Sequence, residues 1–381
     1  MTTLPRVVYW NNIAAPYMVE RFDALVARRN LDFEAWFSAP TGADRSWTVD
    51  ERAWTFPYRY VPRAGVGGRQ VTVPSGLVRR PRLDLVVSLY NEPPFLAGWC
   101  LARLAGIRTA FWVEVTFDSW VRRRWWKEAL KRQVFPRLDG VITAGLDGRR
   151  FAERYGVPTE RIHLVRHAID VDHFVDGRRR WGPERNEVRS ELGLAGTVYL
   201  YVGRLHRRQK GLDDLVSAFR RLQAEQGQPV SLLLVGDGPD EATLRSATRD
   251  LAGVVFAGFR QKPDLPRLYA AADVFVFPTL GDPYGLVVDE AMAAGLPVIS
   301  TTAAGEIGER VLSETNGFLV PPGSPDRLLT AMQMLRDDGA LRSRMGVQSS
   351  RLIAGHTPDR WAADFELAVE AILRTRSARC E

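Results

Sequence analysis

At 381 residues the chain exceeds what one hydrophobic core usually serves, so two domains are expected. Its 45% hydrophobic and 25% charged content is ordinary for a globular protein, and two cysteines, Cys100 and Cys380, exclude a disulfide framework and fit a reducing compartment. A net charge of +7 favours anionic partners: a nucleotide, a phospholipid surface or nucleic acid. Arg6 leads directly into the strand-like Val7–Trp10, so no signal pattern is read at the start. The apolar run Phe95–Gly106 is broken by Arg103 and falls short of a membrane span.

Arg6–Trp10, Phe33–Phe37, Leu85–Leu89, Thr109–Val113 and Val141–Thr143 carry the β-branched and aromatic residues of buried strands. Helical stretches such as Tyr17–Arg29 and Pro94–Leu104 lie between them. This alternation predicts a parallel, doubly wound sheet whose ligands gather at the C-terminal strand ends. Residues 41–82, rich in Gly, Pro and Arg, read as a long excursion without periodicity. Within it, Trp47 and Trp54 either cover an acceptor or anchor the loop. Ten of the eleven tryptophans precede residue 182, which is compatible with sugar or lipid contact in that half and equally with core packing.

Glu114, directly after the apolar Trp112–Val113, is unusual unless it meets a ligand or a cation. An acceptor-side contact and a structural salt bridge both remain open. Ser119–Phe135 sets Arg122, Arg123, Arg124, Lys127, Lys131 and Arg132 against Glu128 alone, interleaved with Trp120, Trp125 and Trp126. Such a segment suits the headgroup level of an anionic membrane, at about 1 kcal/mol per cation. The alternative is a solvated basic helix with its aromatics packed inward; nucleic acid is not expected, because no recognition motif accompanies the patch. Asp170 and Asp172 form an Asp-x-Asp that can hold a metal–diphosphate but is read as structural. His163 and His167 have no partners at metal-ligand spacing, so no metal site is expected. Asp176–Arg189, highly charged with Gly177, Gly182 and Pro183, reads as an interdomain linker.

The alternation then restarts. Thr197–Val202 is a strand ending in Gly203-Arg204-Leu205, followed by Lys210-Gly211 and a helix from Leu212 to about Ala224. An arginine and a lysine around a glycine-started loop make a place for a diphosphate. Ser231–Val235 and Val254–Gly258 are further strands, the latter running into Phe259 and Arg260. Val274–Phe277 is a buried strand closed by Pro278 and a turn of Gly281, Asp282 and Pro283. A helix opens at Gly285 and stops at Gly295 before the strand Pro297–Ser300. The N–H groups of Gly285, Leu286 and Val287 at its start form an anion site. This helix is apolar almost all round, so its carboxylates need partners. Glu290, one turn beyond Leu286, either leans back to that pocket with Asp282 beside it or is half of a structural ion pair.

These motifs resemble the donor-site signature of the retaining GT-B glycosyltransferases of family 4, the group 1 glycosyl transferases. That signature has two glutamates with seven residues between. Here Asp282 takes the first place, Pro283, Tyr284 and Gly285 follow, and Glu290 holds the second. The resemblance implies that Asp282 and the backbone after it hold the donor sugar and that Glu290 binds the ribose. Gly203-Arg204-Leu205 with Lys210-Gly211 is similar to the element whose two cations hold the pyrophosphate, with a gap one residue longer than is commonest. Phe259 and Arg260 are implied at the nucleotide base. Glu114 stands near the acceptor-side position, in a W-x-E form. The Asn11–Pro16 loop lacks the glycines usual there, and its make-up is expected to reflect acceptor choice. Asn316–Gly323 also matches the pattern and is taken as structural; Glu309 is expected behind the donor site. The resemblance spans nearly the whole chain, with its specific motifs between residues 203 and 320.

The expectation is therefore an α/β protein of GT-B fold: two Rossmann-like doubly wound parallel-sheet domains facing a deep cleft. Residues 1–175 form the acceptor domain, 176–190 the linker and 191–356 the donor domain. Residues 357–381, with the amphipathic Thr357–Arg374, form a helix crossing back to the first domain. The function implied is a retaining, metal-independent hexosyltransferase without a cofactor, using a UDP-sugar in preference to a GDP-sugar. The acceptor expected is a lipid-linked saccharide or other glycoconjugate precursor, at the cytoplasmic face of the cell membrane. A soluble natural-product acceptor, a sugar-nucleotide epimerase or hydrolase, and a silent sugar-nucleotide binder are the alternatives.

Overall fold

A computed structural model describes residues 3–41, 47–48, 50–66, 69–72, 77, 83–90, 92–114, 125–225 and 227–375. Contacts divide them into two compact units. Ile169–Gly355 form one, and the described residues before Ile169 together with those after Gly355 form the other. Each is built on its own parallel sheet with its own apolar core.

In the first unit the strands are β1 (Arg6–Ile13), β2 (Asp32–Ala39), β3 (Tyr58–Tyr60), the antiparallel pair β4 (Arg63–Val66) and β5 (Arg69–Thr72), then β6 (Leu85–Ser88), β7 (Arg108–Val113), β8 (Gly140–Thr143) and β9 (Ile162–Leu164). The seven-stranded sheet runs β3-β2-β1-β6-β7-β8-β9, all pairs parallel. Its winding reverses between β1 and β6. Central strands such as β6 are buried along their whole length, as expected where helices cover both faces. The excursion over 41–82 is thus not free of structure, because it supplies edge strand β3 and the β4–β5 pair. With three or four residues each, these strands are too short to show a periodicity.

The helix Pro358–Arg374 packs in this first unit. Thr357 caps it by accepting the Arg360 N–H at 3.3 Å. Trp361 and Phe365 stack on one another at 4.9 Å and meet Phe22, Tyr9 and Trp112. Gly140 lets the helix come close: a Cβ there would lie 2.5 Å from Ile372 Cγ1.

In the second unit β10 (Thr197–Val202), β11 (Val230–Val235), β12 (Val254–Gly258), β13 (Val274–Phe277), β14 (Val298–Thr301) and β15 (Gly317–Val320) form a parallel sheet ordered β12-β11-β10-β13-β14-β15. The chain winds outward from β10 to β12, then returns to lay β13 on the other side of β10. The switch therefore falls between β10 and β13, where open parallel sheets bind ligands beyond their C-terminal ends.

Two expectations on organisation need correction. The N-terminal part of the first unit ends at Ala168 rather than at residue 175. The stretch 176–190, read as a linker, is helical: Val171–Trp181 and Arg185–Leu192 are helices of the second unit. Gly177 sits so close to Pro266 that a Cβ would collide, and Arg185 and Arg189 both hold the Asp273 carboxylate. Arg185 and Arg189 are thus bound into a packed surface, whereas Arg178, Arg179 and Arg180 lie exposed on the first of these helices.

Candidate active site

The site in the second unit begins where β10 ends. Gly203, at φ +149°, donates its N–H to Val235 O at 2.9 Å and turns the chain. The Tyr201 hydroxyl donates to Arg204 O at 2.9 Å, and Leu205 N to Asp237 O at 2.7 Å. Gly236 has no side chain because the Gly203 carbonyl occupies that space. Arg204 is thus carried on a loop fixed by backbone contacts at the switch point.

A short turn of helix, Arg207–Lys210, follows; His206 Nδ1 accepts the Gln209 N–H at 3.2 Å at its start. Gly211 ends it at φ +61°, against the Pro278 carbonyl, where any Cβ would collide. This contact draws the Arg204 loop to the end of β13. There Lys210 pairs with Asp282, both side chains 13% exposed, and Lys210 Nζ lies 5.6 Å from the Phe277 ring centre. An ammonium has three donors and Asp282 takes one, so Lys210 keeps capacity for a further anion.

The loop after β13 is braced from inside. Asp282 Oδ1 accepts the Tyr284 N–H at 3.0 Å, and Asp282 O accepts the Gly305 N–H at 2.9 Å. Gly285 opens the helix Leu286–Ala293 at φ +75°, and a Cβ there would lie 2.7 Å from Phe277 Cε1. The leading N–H groups of that helix have no intrahelical acceptor and sit at its positive end. Beneath them Arg310, 2% exposed, pairs at 2.7 Å with Asp289, which is fully buried. It donates to the carbonyls of Tyr284, Gly285 (3.3 Å) and Gly305 (3.0 Å), and its guanidinium covers the Tyr284 ring at 3.7 Å. The Tyr284 side chain therefore belongs to this clamp.

Of the two adjacent carboxylates, Asp289 makes the buried ion pair. Glu290, half-buried, accepts at 2.8 Å from the Tyr269 hydroxyl, which also reaches Val287 O at 3.3 Å. Burial, and then the Glu290 charge, pushes the Tyr269 phenol well above its ordinary pKa, so it stays a donor. Leu286 and Val287 are half-buried at the helix start, with Pro283 before them. Phe259 and Arg260 follow Gly258 at the end of β12, on the same edge of the sheet, with Arg260 exposed.

Sequence reasoning did not find Arg310, Tyr269 or Glu306. A signal for the first was present: an aspartate inside an all-apolar helix demands a buried cation. Glu306 is buried at φ +55°, a conformation rare for a residue with a side chain, and it starts the turn Ile307–Glu309 that carries Arg310. Glu309 lies half-buried on that turn.

In the first unit Glu114 follows β7. Trp112 Nε1 donates to its Oε1 at 2.9 Å, and His167 Nε2 lies 3.7 Å from the same oxygen. Buried Arg21 donates to His167 Nδ1 at 2.8 Å and to Ala168 O at 3.0 and 2.7 Å. Since arginine only donates, His167 carries its proton on Nε2 and presents it toward Glu114. Glu114 is thus a carboxylate held by its neighbours at a C-terminal strand end. Asp170 accepts the His173 N–H at 3.1 Å as a helix cap. Among the described residues no cluster of three or more His, Cys, Asp or Glu could hold a metal ion.

Of the basic segment, Ser119–Arg124 lie outside the described residues. The rest forms the helix Trp125–Val134, on which Trp125 is 83% and Trp126 44% exposed. Its aromatics are not packed inward. Lys131 instead turns to Glu128 at 3.0 Å and to the rings of Phe151 and Tyr155.

Residues 196–338 match the family described as glycosyl transferases group 1. The D-inositol 3-phosphate glycosyltransferase of Corynebacterium kroppenstedtii is 33% identical over 316 residues, 76% of this chain and 68% of that protein. The GDP-mannose-dependent alpha-mannosyltransferase of Mycobacterium tuberculosis is 32% identical over 209 residues, 53% of this chain and 48% of its own length. The chain spans about half the length of several further curated relatives, 48% in one case and 52% in another. In fold it is similar to HepE of Anabaena in complex with UDP, with a TM-score of 0.75 at 17% identity over 96% of this chain and 99% of that one. With a family match over residues 196–338 and a relative aligned along 76% of this chain, the chain belongs to the group 1 glycosyltransferases and has their GT-B fold.

Proposed function

We propose that the protein transfers a hexosyl group from a nucleoside diphosphate sugar to an acceptor hydroxyl, with retention at the anomeric carbon. What supports this is that the loop bearing Arg204, the turn bearing Lys210 and the N-terminus of helix Leu286–Ala293 all lie at the β10–β13 switch. Cleaving a glycosyl–phosphate bond leaves charge on the diphosphate, and preorganised cations with helix N–H groups stabilise it. These groups supply the positive charge a metal would otherwise bring, so the reaction is proposed to need none. Asp282 and the amides after it would hold the sugar, Glu290 the ribose, and Phe259 with Arg260 the base.

A uridine donor is favoured. HepE, similar in fold, binds UDP, although one relative is named for GDP-mannose. On a front-face route the departing phosphate takes the acceptor proton, and Glu114 orients the acceptor. The exposed Trp125 and Trp126 beside Lys127 and Arg132 favour an acceptor presented at an anionic lipid surface.

Calorimetry with UDP and GDP, then turnover of UDP-sugars in excess chelator with the product anomer read by NMR, tests the reading. Preferential UDP binding and a retained configuration are expected. No affinity for either nucleotide, an inverted product, or turnover restored only by Mg²⁺ would each overturn its part. Donor consumption without acceptor would instead mark a hydrolase or epimerase.

A further inference from the structure

The N-terminal edge of the second sheet, at the other end of the strands from the donor site, holds a cavity of about 350 Å³. That volume is in the range of small-ligand pockets. Its floor is the chain just before β13 and β14, including Ala272, Asp273, Leu296 and Pro297. Three guanidinium groups line it: Arg178, Arg185 and Arg342. The only acidic side chain of the lining is Asp273, and it is already spent. Asp273 Oδ1 takes Arg185 at 2.5 Å, while Oδ2 takes Arg189 at 2.6 Å and the Val198 N–H at 2.8 Å.

The remaining positive charge is therefore uncompensated. Among the described residues Arg342 donates to the carbonyls of Leu335 and Arg336 and to no carboxylate. Arg178 reaches across Gly295, whose missing Cβ leaves room for its guanidinium, and has no side-chain partner among the described residues. Arg185 has its Nε buried with no partner. Arg189, just behind, is pushed down by burial first, and by repulsion from Arg185 and Arg342 against the pull of Asp273. Gly339 and Ser343, from the first turns of helix Gly339–Ile353, complete the wall; Asp338, which is not part of the lining, caps that helix by accepting the Leu341 N–H at 2.7 Å.

Cations collected around a concave site without a matching carboxylate are a phosphate-recognition arrangement, since guanidinium forks pair with phosphate oxygens in bidentate fashion. We infer that this cavity binds a phosphate-bearing anion, either inorganic phosphate or the phosphate of a small metabolite, at a site separate from the donor site. The guanidinium groups of Arg178 and Arg342 and the Ser343 hydroxyl donate to the phosphate oxygens, and the apolar part of the floor at Ala272, Leu296 and Pro297 accommodates the remainder of a larger ligand.

The test titrates the full chain calorimetrically with inorganic phosphate and with glucose 1-phosphate, each in saturating UDP so that the donor site is filled. One-to-one binding of at least one probe is expected. Equal affinities identify the phosphate group alone as the ligand, and a tenfold preference for the sugar phosphate identifies a metabolite. Arg178→Glu is expected to weaken binding tenfold or more while UDP affinity stays within twofold. Ser343→Asp places a carboxylate on an exposed helix start that tolerates it, and is expected to do the same. Absence of binding by both probes, or unchanged affinity in Arg178→Glu, overturns the inference. Should Arg178→Glu lose its cooperative melt, Ser343→Asp carries the decision. Neither result bears on UDP binding, so the donor reading stands or falls separately.

Discussion

Glycines shape the C-terminal edge of the second sheet, whereas buried side chains shape the same edge of the first. Gly203, Gly211 and Gly285 hold positive φ values against neighbouring backbone or rings, so the loops bearing Arg204, Lys210 and the helix start admit essentially one path. In the first unit Glu114 is set instead by Trp112, His167 and Arg21, which come from three distant parts of the chain. A backbone-built anion site keeps its geometry when side chains vary. A side-chain-built one can be retuned by single substitutions, which would suit the acceptor-side role proposed for Glu114.

The comparison is broken most severely by removing a buried side chain on which the backbone-built edge does depend. Arg310→Leu leaves Asp289 buried and uncompensated. A loss of about 3–5 kcal/mol is expected, read by urea unfolding. A loss under about 1 kcal/mol would show that the clamp is dispensable. Next, Arg204→Ala and Lys210→Ala should each lower kcat about 10²-fold or more, near 2.7 kcal/mol, with little change in melting temperature in the first and a fall in the second, where Asp282 loses its partner. Near-normal turnover in both would remove them from the chemistry. In the first unit Arg21→Leu strands His167 Nδ1 and the Ala168 carbonyl. A cost of about 1–3 kcal/mol is expected, with acceptor KM raised and UDP affinity kept. An equal loss of UDP affinity would erase the distinction between the two edges. The smallest effect is expected of Tyr269→Phe, which deletes one donor to Glu290 and should weaken UDP binding by about tenfold, near 1.4 kcal/mol. Unchanged binding there would detach Glu290 from the ribose.

The second edge was legible in the sequence because its determinants lie within short windows. Gly203 to Gly211 and Asp282 to Glu290 each fit inside one loop and one helical turn, where spacing encodes geometry. Arg310 stands 21 residues beyond Asp289, and Tyr269 as many before Glu290, so no local pattern links them. The first edge was legible only as an oddity, Glu114 after an apolar strand. Its partners Arg21 and His167 lie 146 residues apart, and only the packed sheet brings them together. The misread linker has the same cause. Charge density in Val171–Leu192 resembles solvated chain until Asp273, about 90 residues on, is seen to hold Arg185 and Arg189.

The helix Pro358–Arg374 has a consequence for how the molecule comes into being. Ile169–Gly355 is continuous, so a ribosome releases all of it before Trp361 and Phe365 emerge. The stretch synthesised first must wait for these two rings to close its apolar centre against Phe22 and Trp112. The inserted half can mature during translation while the enclosing half remains open. Loss of the final helix should therefore harm the earliest-made residues and spare those immediately before it.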